Sequence, residues 1–487
     1  MTGKLFQTAA LRQYIVKAGF SVARNMTSGP EWKHILLFGL PIMAGMFLQQ
    51  MYNTVDGIVV GNFIDSDALA AVGSSTPLTI AFLAMATGMS NGSGVVIAQL
   101  FGAGKKTEMR RTASTAMIML SVLGIFFTVL GIASAGFIMK NILNIEDPQI
   151  CKNAALYFRI YAAGLIFQFI YNAVAGVLRA VGDSRATLYF LIISTVANMI
   201  LDVVFVVFFR WGITGAAVAT VISQIACMCA SLYYMYKKYE DFRFRPGEYV
   251  FDKEKFRLCV KMGVPSTLQQ LVVSSGHILL QRLINSFGSV TMAAYTVGSR
   301  FDHYLSLPSM GFLNAMASFT GQNTGAGRTD RIKRGIVATL GMNLTAVVIL
   351  CALIYILAEP CAKLFGVDGK TLEQATEYLK YVAFIFPIFA LYMPFNGLFQ
   401  GAGNPVASML ISLIALSTKV AIAYIMVYTF DVGYSACWKA NTYAWLVALA
   451  VSLIHYASGK WKNRAIVKKD PAVLQEAAQA SGPSTGS

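Results

Sequence analysis

Twelve long apolar runs dominate this sequence and constrain its fold more than any other feature. Each run has the length that an α-helix needs to cross a bilayer, and backbone polar groups in lipid must be paired within their own segment. With 56% hydrophobic and 13% charged residues, the chain carries more apolar surface than a soluble fold could bury. We therefore predict an all-α polytopic membrane protein with twelve transmembrane helices, approximately at residues 35–62, 68–101, 112–139, 153–180, 186–209, 212–236, 258–286, 291–324, 334–358, 376–400, 405–430 and 433–458.

Most of the positive charge lies on one side of these runs, so the net charge of +16 does not indicate a nucleic-acid partner. Loops rich in Lys and Arg stay in the cytoplasm. We predict a multi-pass protein of the cell membrane with both termini cytoplasmic and a basic rim that faces anionic lipid. The opposite loops hold only Lys140, Lys152, Arg210, Lys363 and Lys370. The basic groups are an N-terminal set (Lys4, Arg12, Lys17, Arg24, Lys33), one set after the second run (Lys105, Lys106, Arg110, Arg111), one after the fourth (Arg179, Arg185), the stretch from Lys237 to Lys261, one set after the eighth (Arg328, Arg331, Lys333, Arg334) and the stretch from Lys460 to Lys469.

The second half of the chain repeats the first. Gly39-Leu-Pro41 matches Gly263-Val-Pro265, the stretch QLFGAGK from Gln99 matches QNTGAGR from Gln322, and Gly176 and Gly182 match Gly397 and Gly403. Repeats of six helices start on the same side of the membrane, so we predict two pseudo-symmetric six-helix bundles around a central cavity. This is the architecture of an alternating-access transporter. Duplication that serves only folding stays an alternative.

The predicted boundaries follow from this repeat. They are an interfacial N-terminal segment at 1–32, an N-lobe at 33–237, a cytoplasmic linker at 238–257, a C-lobe at 258–459 and a disordered cytoplasmic tail at 460–487. Pro41 and Pro265 lie early in the first helix of each lobe, where each removes a backbone hydrogen bond. They are either hinges that move during transport or static kinks.

Two of the apolar runs carry acids near their middle. Asn198 and Asp202 are four residues apart and share one face of a helix, and Asp56 lies in the first run. A carboxylate inside the bilayer costs roughly 2.5–3.5 kcal/mol on the insertion scale, and such a residue is functional by default. The structural alternative is that both acids only accept hydrogen bonds from Tyr or Asn.

The order of these motifs resembles the multidrug and toxic compound extrusion (MATE) family. The resemblance rests on QQMYNTVDGIVVGNFI, the QLFGAGK/GQNTGAGR pair, the GVLRAVGDSR/GLFQGAGNP pair and N-x-x-x-D in the fifth run, and it covers residues 33–458. It implies a secondary transporter that uses a Na⁺ or H⁺ gradient to export amphipathic, often cationic, drug-like compounds and has no other cofactor. We expect a monomer that binds small molecules and lipid but no nucleic acid.

The same resemblance implies where the coupling ion binds. Family members with an ion site in the N-lobe use an acid in helix 1, Asn and Asp in helix 5 and Thr in helix 6, which correspond here to Asp56, Asn198, Asp202 and Thr220. The repeat maps these positions onto Leu280, Lys419, Ala423 and Asn441, so we predict a single coupling site, in the N-lobe. Carboxylate, amide and hydroxyl oxygens suit Na⁺, and two acids in one buried pocket equally suit protons. The choice of ion stays open.

A cavity for varied drugs needs deformable apolar walls and a few polar groups. Methionines in membrane helices often only pack or face lipid. Lys419 lies deep in the eleventh run, where it either pairs with a C-lobe polar group such as Asp302, near Arg300, or binds an anionic substrate group. The predicted cavity residues are Met46, Gln49, Tyr52, Met85, Met89, Asn172, Met199, Gln269, His277, Asn396 and Lys419.

Two rival functions have sequence criteria. An enzyme is disfavoured because the G-x-S-x-G stretch from Gly88 to Gly92 lies within a helix, without a suitable His and acid partner set. We interpret it as a run of small residues for close helix packing. A flippase for lipids or lipid-linked glycans is the alternative function. It should line its cavity with basic residues, for which the sequence offers Lys419, Arg282 and Arg300.

Overall fold

The computed structural model describes residues 24–63, 66–143, 147–244 and 247–467, and within these ranges the side chains of residues 52–63, 66–71, 142 and 273–279 lie outside the description. Every regular element in the described part is helical, which confirms the predicted fold class. The first half contains α1 (Glu31–Phe63), α2 (Ser66–Gly102), α3 (Lys106–Phe137), α4 (Pro148–Ala163), α5 (Leu165–Ala180), α6 (Ser184–Asp202) and α7 (Gly212–Lys238). The second half contains α8 (Lys253–Asn285), α9 (Ser289–Gly325), α10 (Thr329–Ile356), the short α11 (Ala358–Lys363), α12 (Gly369–Gly401), α13 (Pro405–Tyr428) and α14 (Ala436–Ala457).

The helices account for the twelve predicted runs. Among the described residues, nine helices are long and apolar enough to cross a membrane, and the count is ten when α4 and α5, bent by 42° at their junction, are taken as one span. The remaining long helices, α8 and α9, have 33 and 37 residues and carry more polar side chains. These two helices are long enough to be the eleventh and twelfth spans, although they are less apolar than the other ten.

Two clusters of buried apolar side chains form the cores of the lobes, and the first helix of each half crosses between them. Ile35 and Phe38 of α1 belong to the cluster built mainly from the second half. Cys259 and Met262 of α8 belong to the cluster built mainly from the first half. The lobes are therefore tied together at the ends of α1 and α8 that lie near the basic loops. The predicted domain boundaries stay a prediction.

Small residues bring α2 and α8 into backbone contact. A Cβ placed on Gly88 would lie 2.4 Å from Thr267, and one placed on Gly92 would lie 2.3 Å from the backbone nitrogen of Gly263. No side chain larger than hydrogen fits at either position without a shift of the helices. The interpretation of the G-x-S-x-G stretch as a close-packing surface is confirmed.

The predicted hinge prolines lie inside continuous helices. Pro41 is an internal residue of α1 and Pro265 of α8. Pro41 also contributes to the wall of the central cavity. Their role in movement stays a prediction.

Candidate functional site

Three of the four predicted coupling residues lie together in the N-lobe. Asn198 and Asp202, on α6, are each only 2% exposed. Neighbouring groups orient the Asn198 amide: its nitrogen donates to Asp202 Oδ2 at 2.7 Å, and its oxygen accepts from the backbone nitrogen of Thr220, on α7, at 3.2 Å. The side chains of Asn198 and Asp202 thus form one buried polar cluster with the start of α7.

The contact of Thr220 differs in detail from the expected one. The resemblance implies a hydroxyl ligand, whereas the contact to Asn198 comes from the Thr220 backbone nitrogen. The hydroxyl donates to the carbonyl of Ala216 at 3.0 Å. Its lone pairs stay available to a cation, because a hydroxyl that donates one hydrogen bond can still accept.

The helix geometry changes directly after the cluster. The α-helical part of α6 ends at Asp202, and residues Val203–Phe208 continue as a π-helix. Segments of this kind occur frequently at functional sites because they shift the register of the side chains.

A cation between Asn198 and Asp202 would require the amide to turn, so that its oxygen rather than its nitrogen faces the carboxylate.

Asp56, the fourth predicted coupling residue, lies on α1, but its side chain is outside the described residues, as are those of Tyr52 and His277. Their predicted roles stay predictions. Among the described residues, no group of three or more His, Cys, Asp or Glu side chains could hold a metal ion.

A central cavity of 730 Å³ lies between the two lobes and adjoins this cluster. Asn198 and Thr220 belong to its wall, so the cation-site candidates connect the N-lobe interior with the cavity. Four of the predicted cavity residues line it, namely Met46, Gln49, Asn172 and Gln269. Gln269 is fixed by two neighbours: it donates to Ser412 Oγ at 3.1 Å and accepts from Gln400 at 2.8 Å.

Three apolar residues predicted for the cavity lie elsewhere. Met85 and Met89 pack with the N-lobe core instead, and Met89 is held against Gly263 by the close approach of α2 and α8. Met199 is 38% exposed but is not part of the cavity wall. It follows Asn198, which faces the cavity, and successive residues of a helix point about 100° apart.

Two polar residues predicted for the cavity are also placed elsewhere. Asn396 is fully buried inside the C-lobe, where its backbone carbonyl accepts from Ser408 Oγ at 2.9 Å. Lys419 does not line the cavity but lies within electrostatic range of Asp302. Lys419 was predicted to pair with a C-lobe polar group or to bind a substrate anion, and its position favours the first.

In the C-lobe, Asp302 and Arg300 contact different partners. Asp302 accepts a 2.5 Å hydrogen bond from the hydroxyl of Tyr378. Arg300 is exposed and lies over the ring of Phe365, with 5.5 Å between the guanidinium carbon and the ring centroid. Arg300 and Asp302 are two residues apart on α9 and therefore point in different directions.

Tyr378→Phe is expected to lower the stability of the C-lobe. The substitution removes the hydroxyl that donates to Asp302 and leaves that carboxylate oxygen without its donor, at a cost of about 1–3 kcal/mol. Thermal unfolding of the detergent-solubilised protein should show a lower Tm. Tyr443→Phe removes an exposed hydroxyl and serves as the control. Equal Tm values for both variants would contradict the assigned role.

Arg179 is a cavity residue that the sequence placed wrongly. Its position near the end of an apolar run suggested the basic rim, but the structure puts its side chain in the cavity wall. Its Nη2 lies 3.4 Å from Ser90 Oγ and 3.3 Å from Asn91 Oδ1, both on α2. The signal in the sequence was that Arg179 precedes the turn at Gly182, so it still belongs to the last turn of α5.

Two glutamines from the repeated motif join the lobes on the side of the basic loops. Gln99, at the end of α2, donates to the carbonyl of Gly401 in the other lobe at 2.9 Å. Gln322, its counterpart on α9, donates to the carbonyl of Ala180 at 3.0 Å. Both glutamines are fully buried. We call this pair of reciprocal contacts the glutamine clamp.

The segments that flank the membrane helices complete the clamp. The backbone nitrogen of Met26 donates to Gln322 Oε1 at 2.9 Å, and the backbone nitrogen of Ile466 donates to Gln99 Oε1 at 2.9 Å. Each glutamine therefore binds the opposite lobe with its nitrogen and a segment near one end of the chain with its oxygen. These contacts hold the two lobes together on the side of the basic loops.

Comparisons with known proteins follow the repeat that the sequence shows. The model of the MatE family matches residues 41–204 and again residues 265–425, so that the matches begin at Pro41 and Pro265. The chain belongs to the MatE family. MatE proteins are membrane transporters rather than enzymes, and the predicted class of protein is confirmed.

Several relatives share nearly the whole length of this MatE protein. It is 28% identical over 452 residues to the probable multidrug resistance protein YpnP of Bacillus subtilis, covering 90% of this chain and 98% of that protein. It is 24% identical to the probable multidrug resistance protein NorM of Thermotoga maritima, covering 90% and 95%. A crystal structure of MATE in the straight conformation superposes with a TM-score of 0.84 at 22% identity, covering 90% of this chain and 99% of that one. This structural likeness supports the two-lobe fold.

Proposed function

We propose that this MatE transporter exports amphipathic, often cationic, small molecules by antiport with Na⁺ or H⁺, and that the ion binds at Asp56, Asn198, Asp202 and Thr220. The observation that carries this proposal is the buried pair of Asn198 and Asp202, each 2% exposed, with Asn198 in the cavity wall. The Asn198 amide donates to this carboxylate at 2.7 Å but does not neutralise it, whereas a bound cation or proton would.

Competition for this carboxylate would couple the ion to the substrate. A bound proton or Na⁺ neutralises Asp202 and removes the attraction that a cationic substrate group would feel from the cavity. Two ligands that destabilise each other's binding are reciprocally linked, whichever binds first. Loading of the ion would therefore favour release of the substrate, which is the requirement for antiport.

The clamp and the charges bear on which side of the cavity is closed. The basic loops are expected in the cytoplasm by the positive-inside rule, so the glutamine clamp would close the cavity on the cytoplasmic side. Opening the cavity to the cytoplasm requires the contacts of Gln99 and Gln322 to break. Two lobes that rock about a central site in this way give alternating access.

The names of the relatives support export of drugs over lipid flipping. Relatives include the multidrug export protein MepA of Staphylococcus aureus, which is 21% identical over 429 residues, besides the two multidrug resistance proteins above. The basic residues that the sequence offered for a flippase, Lys419, Arg282 and Arg300, do not line the cavity. Arg179 is the one basic side chain in the described lining, whereas a flippase is expected to line its cavity with several. We therefore do not retain the flippase as the function.

Transport in proteoliposomes under one gradient at a time tests this proposal and identifies the ion. A fluorescent amphipathic amine is loaded, and either a Na⁺ gradient at equal pH or a pH gradient without Na⁺ is imposed. We expect one of the two gradients to drive movement of the amine well above the rate with the gradient dissipated. Equal rates with and without each gradient would contradict coupled antiport.

A further inference from the structure

Arg179 has a charge that its neighbours do not balance. Its guanidinium donates two long hydrogen bonds, to the neutral oxygens of Ser90 and Asn91 at 3.4 and 3.3 Å. Ser90 donates its own proton to the carbonyl of Asn172 at 2.5 Å, so its oxygen can accept from Arg179 but brings no negative charge. No carboxylate among the described residues forms an ion pair with Arg179. A guanidinium in a membrane interior is expensive unless an anion compensates it.

The cavity wall offers no other fixed charge in the part of the chain that the structure describes. The polar side chains of this wall besides Arg179 are neutral amides, hydroxyls and phenols, among them Asn91, Thr87, Gln168 and Tyr171. A guanidinium presents five donors in a planar fork that matches the two oxygens of a carboxylate. The guanidinium therefore offers the donors that a carboxylate needs.

We infer that Arg179 binds an anionic group, above all a carboxylate, of the molecules that this transporter exports. The inference rests on the proposed function, since it takes the central cavity as the substrate site. It assigns to Arg179 the recognition of the anionic group of a zwitterionic substrate. The anionic group lies at Arg179, and a cationic group points towards the cluster of Asn198 and Asp202.

The position of Arg179 also connects substrate binding to the clamp. Its own backbone carbonyl accepts from Ser318 Oγ of the other lobe at 2.7 Å. The next residue, Ala180, accepts from Gln322 in the clamp. An anion on the guanidinium thus lies at the end of the cavity where the two lobes meet. The anionic group of the substrate therefore contacts the last turn of α5. The same turn must lose its hydrogen bonds to the C-lobe when the cavity opens on this side.

A purely structural role is the competing explanation. In that case the guanidinium would serve only to pin α5 to α2 through Ser90 and Asn91. Loss of this contact would lower the stability of the protein and would weaken the binding of every ligand to the same degree. Binding of an anionic group instead predicts an effect that depends on the charge of the ligand.

A matched pair of dyes separates these explanations. The probes are a xanthylium dye with a free benzoate and its methyl ester, which share the cation and the ring system but differ in the carboxylate. Binding of each is measured by fluorescence anisotropy in nanodiscs of neutral phosphatidylcholine. We expect Arg179→Gln to weaken binding of the acid by about 10-fold or more and to leave binding of the ester nearly unchanged. Arg179→Lys should retain part of the preference for the acid, and Arg185→Gln, which removes an exposed charge outside the cavity wall, should retain all of it.

Three results would overturn the inference. An equal loss for acid and ester would assign Arg179 a structural role. An unchanged preference in Arg179→Gln would remove the residue from the substrate site. If phosphatidylglycerol in the nanodiscs abolished acid binding in the wild type, the anion held at Arg179 would be a lipid headgroup and not a substrate group. Failure of the wild type to bind either dye would instead contradict the proposed function itself.

Discussion

Replacing Asp202 by asparagine is expected to abolish cation-driven export, with a loss of at least about tenfold in transport rate. Asparagine has nearly the same volume and can still contact Asn198, but it cannot carry the negative charge that a proton or Na⁺ neutralises. Asp202 is 2% exposed, and the Asn198 amide donates to its carboxylate at 2.7 Å. Because the site is this well buried, water cannot supply the lost negative charge. Efflux of a fluorescent amphipathic amine from proteoliposomes under the driving gradient measures the effect.

The matched control is Asp147→Asn, which removes one acid from an exposed loop. Asp147 accepts from the backbone nitrogens of Gln149 and Ile150 at the start of α4, a role that asparagine also fills. Its transport should equal that of the wild type. Asp56→Asn is expected to behave like Asp202→Asn while leaving expression intact. Full transport in Asp202→Asn would exclude the N-lobe cluster as the coupling site.

Alanine in place of Gly102 or Gly325 is expected to force the lobes apart at the glutamine clamp and to stop transport. A Cβ on Gly102 would lie 1.9 Å from the backbone oxygen of Gln322, and a Cβ on Gly325 would lie 1.9 Å from that of Gln99. Because both neighbours are backbone atoms, a side-chain rotation cannot relieve the contact. Overpacking of this kind costs about 1–3 kcal/mol or more, enough to shift a two-state equilibrium by about tenfold or more.

Distances between spin labels measure this shift directly. Labels on cysteines that replace Lys106 and Lys333, both exposed near the basic loops, report the separation of the lobes in a cysteine-free background. We expect longer distances in Gly102→Ala and Gly325→Ala than in the parent. Gly341→Ala is the control, because nothing lies within 4 Å of a Cβ at that helical position. Unchanged distances in both clamp variants would show that the closed state does not depend on this contact.

The elements that the sequence predicted well are those set by strong local patterns. Apolar runs of membrane length have few structural solutions, and the repeat from Pro41 to Pro265 predicted the two-lobe arrangement. Asn198 and Asp202 were identified because a polar pair in such a run is costly. Their four-residue spacing put them on one helix face, as observed.

The failures come from contacts that no local pattern encodes. The sequence predicts that Arg179 belongs to the cytoplasmic basic rim, because a charge near the end of an apolar run usually reaches the interface. The structure instead places it in the cavity wall, one residue before Ala180 of the glutamine clamp. Met89 was assigned to the cavity by residue type, but the approach of Gly263 buries it in the lobe core. The crossing of α1 and α8 between the lobes depends on packing between segments far apart in sequence. Tertiary packing, rather than the helix propensity of the local sequence, determines these positions.

The central claim is that one cation site in the N-lobe controls substrate binding in the cavity, and competition at equilibrium tests it most directly. Binding of a fluorescent amphipathic amine to the purified protein is titrated with Na⁺ at constant pH and, separately, with protons in the absence of Na⁺. We predict that one of the two ions weakens binding in the wild type and has no such effect in Asp202→Asn. Binding that neither ion alters in the wild type, or that an ion weakens equally in both proteins, would contradict the claim.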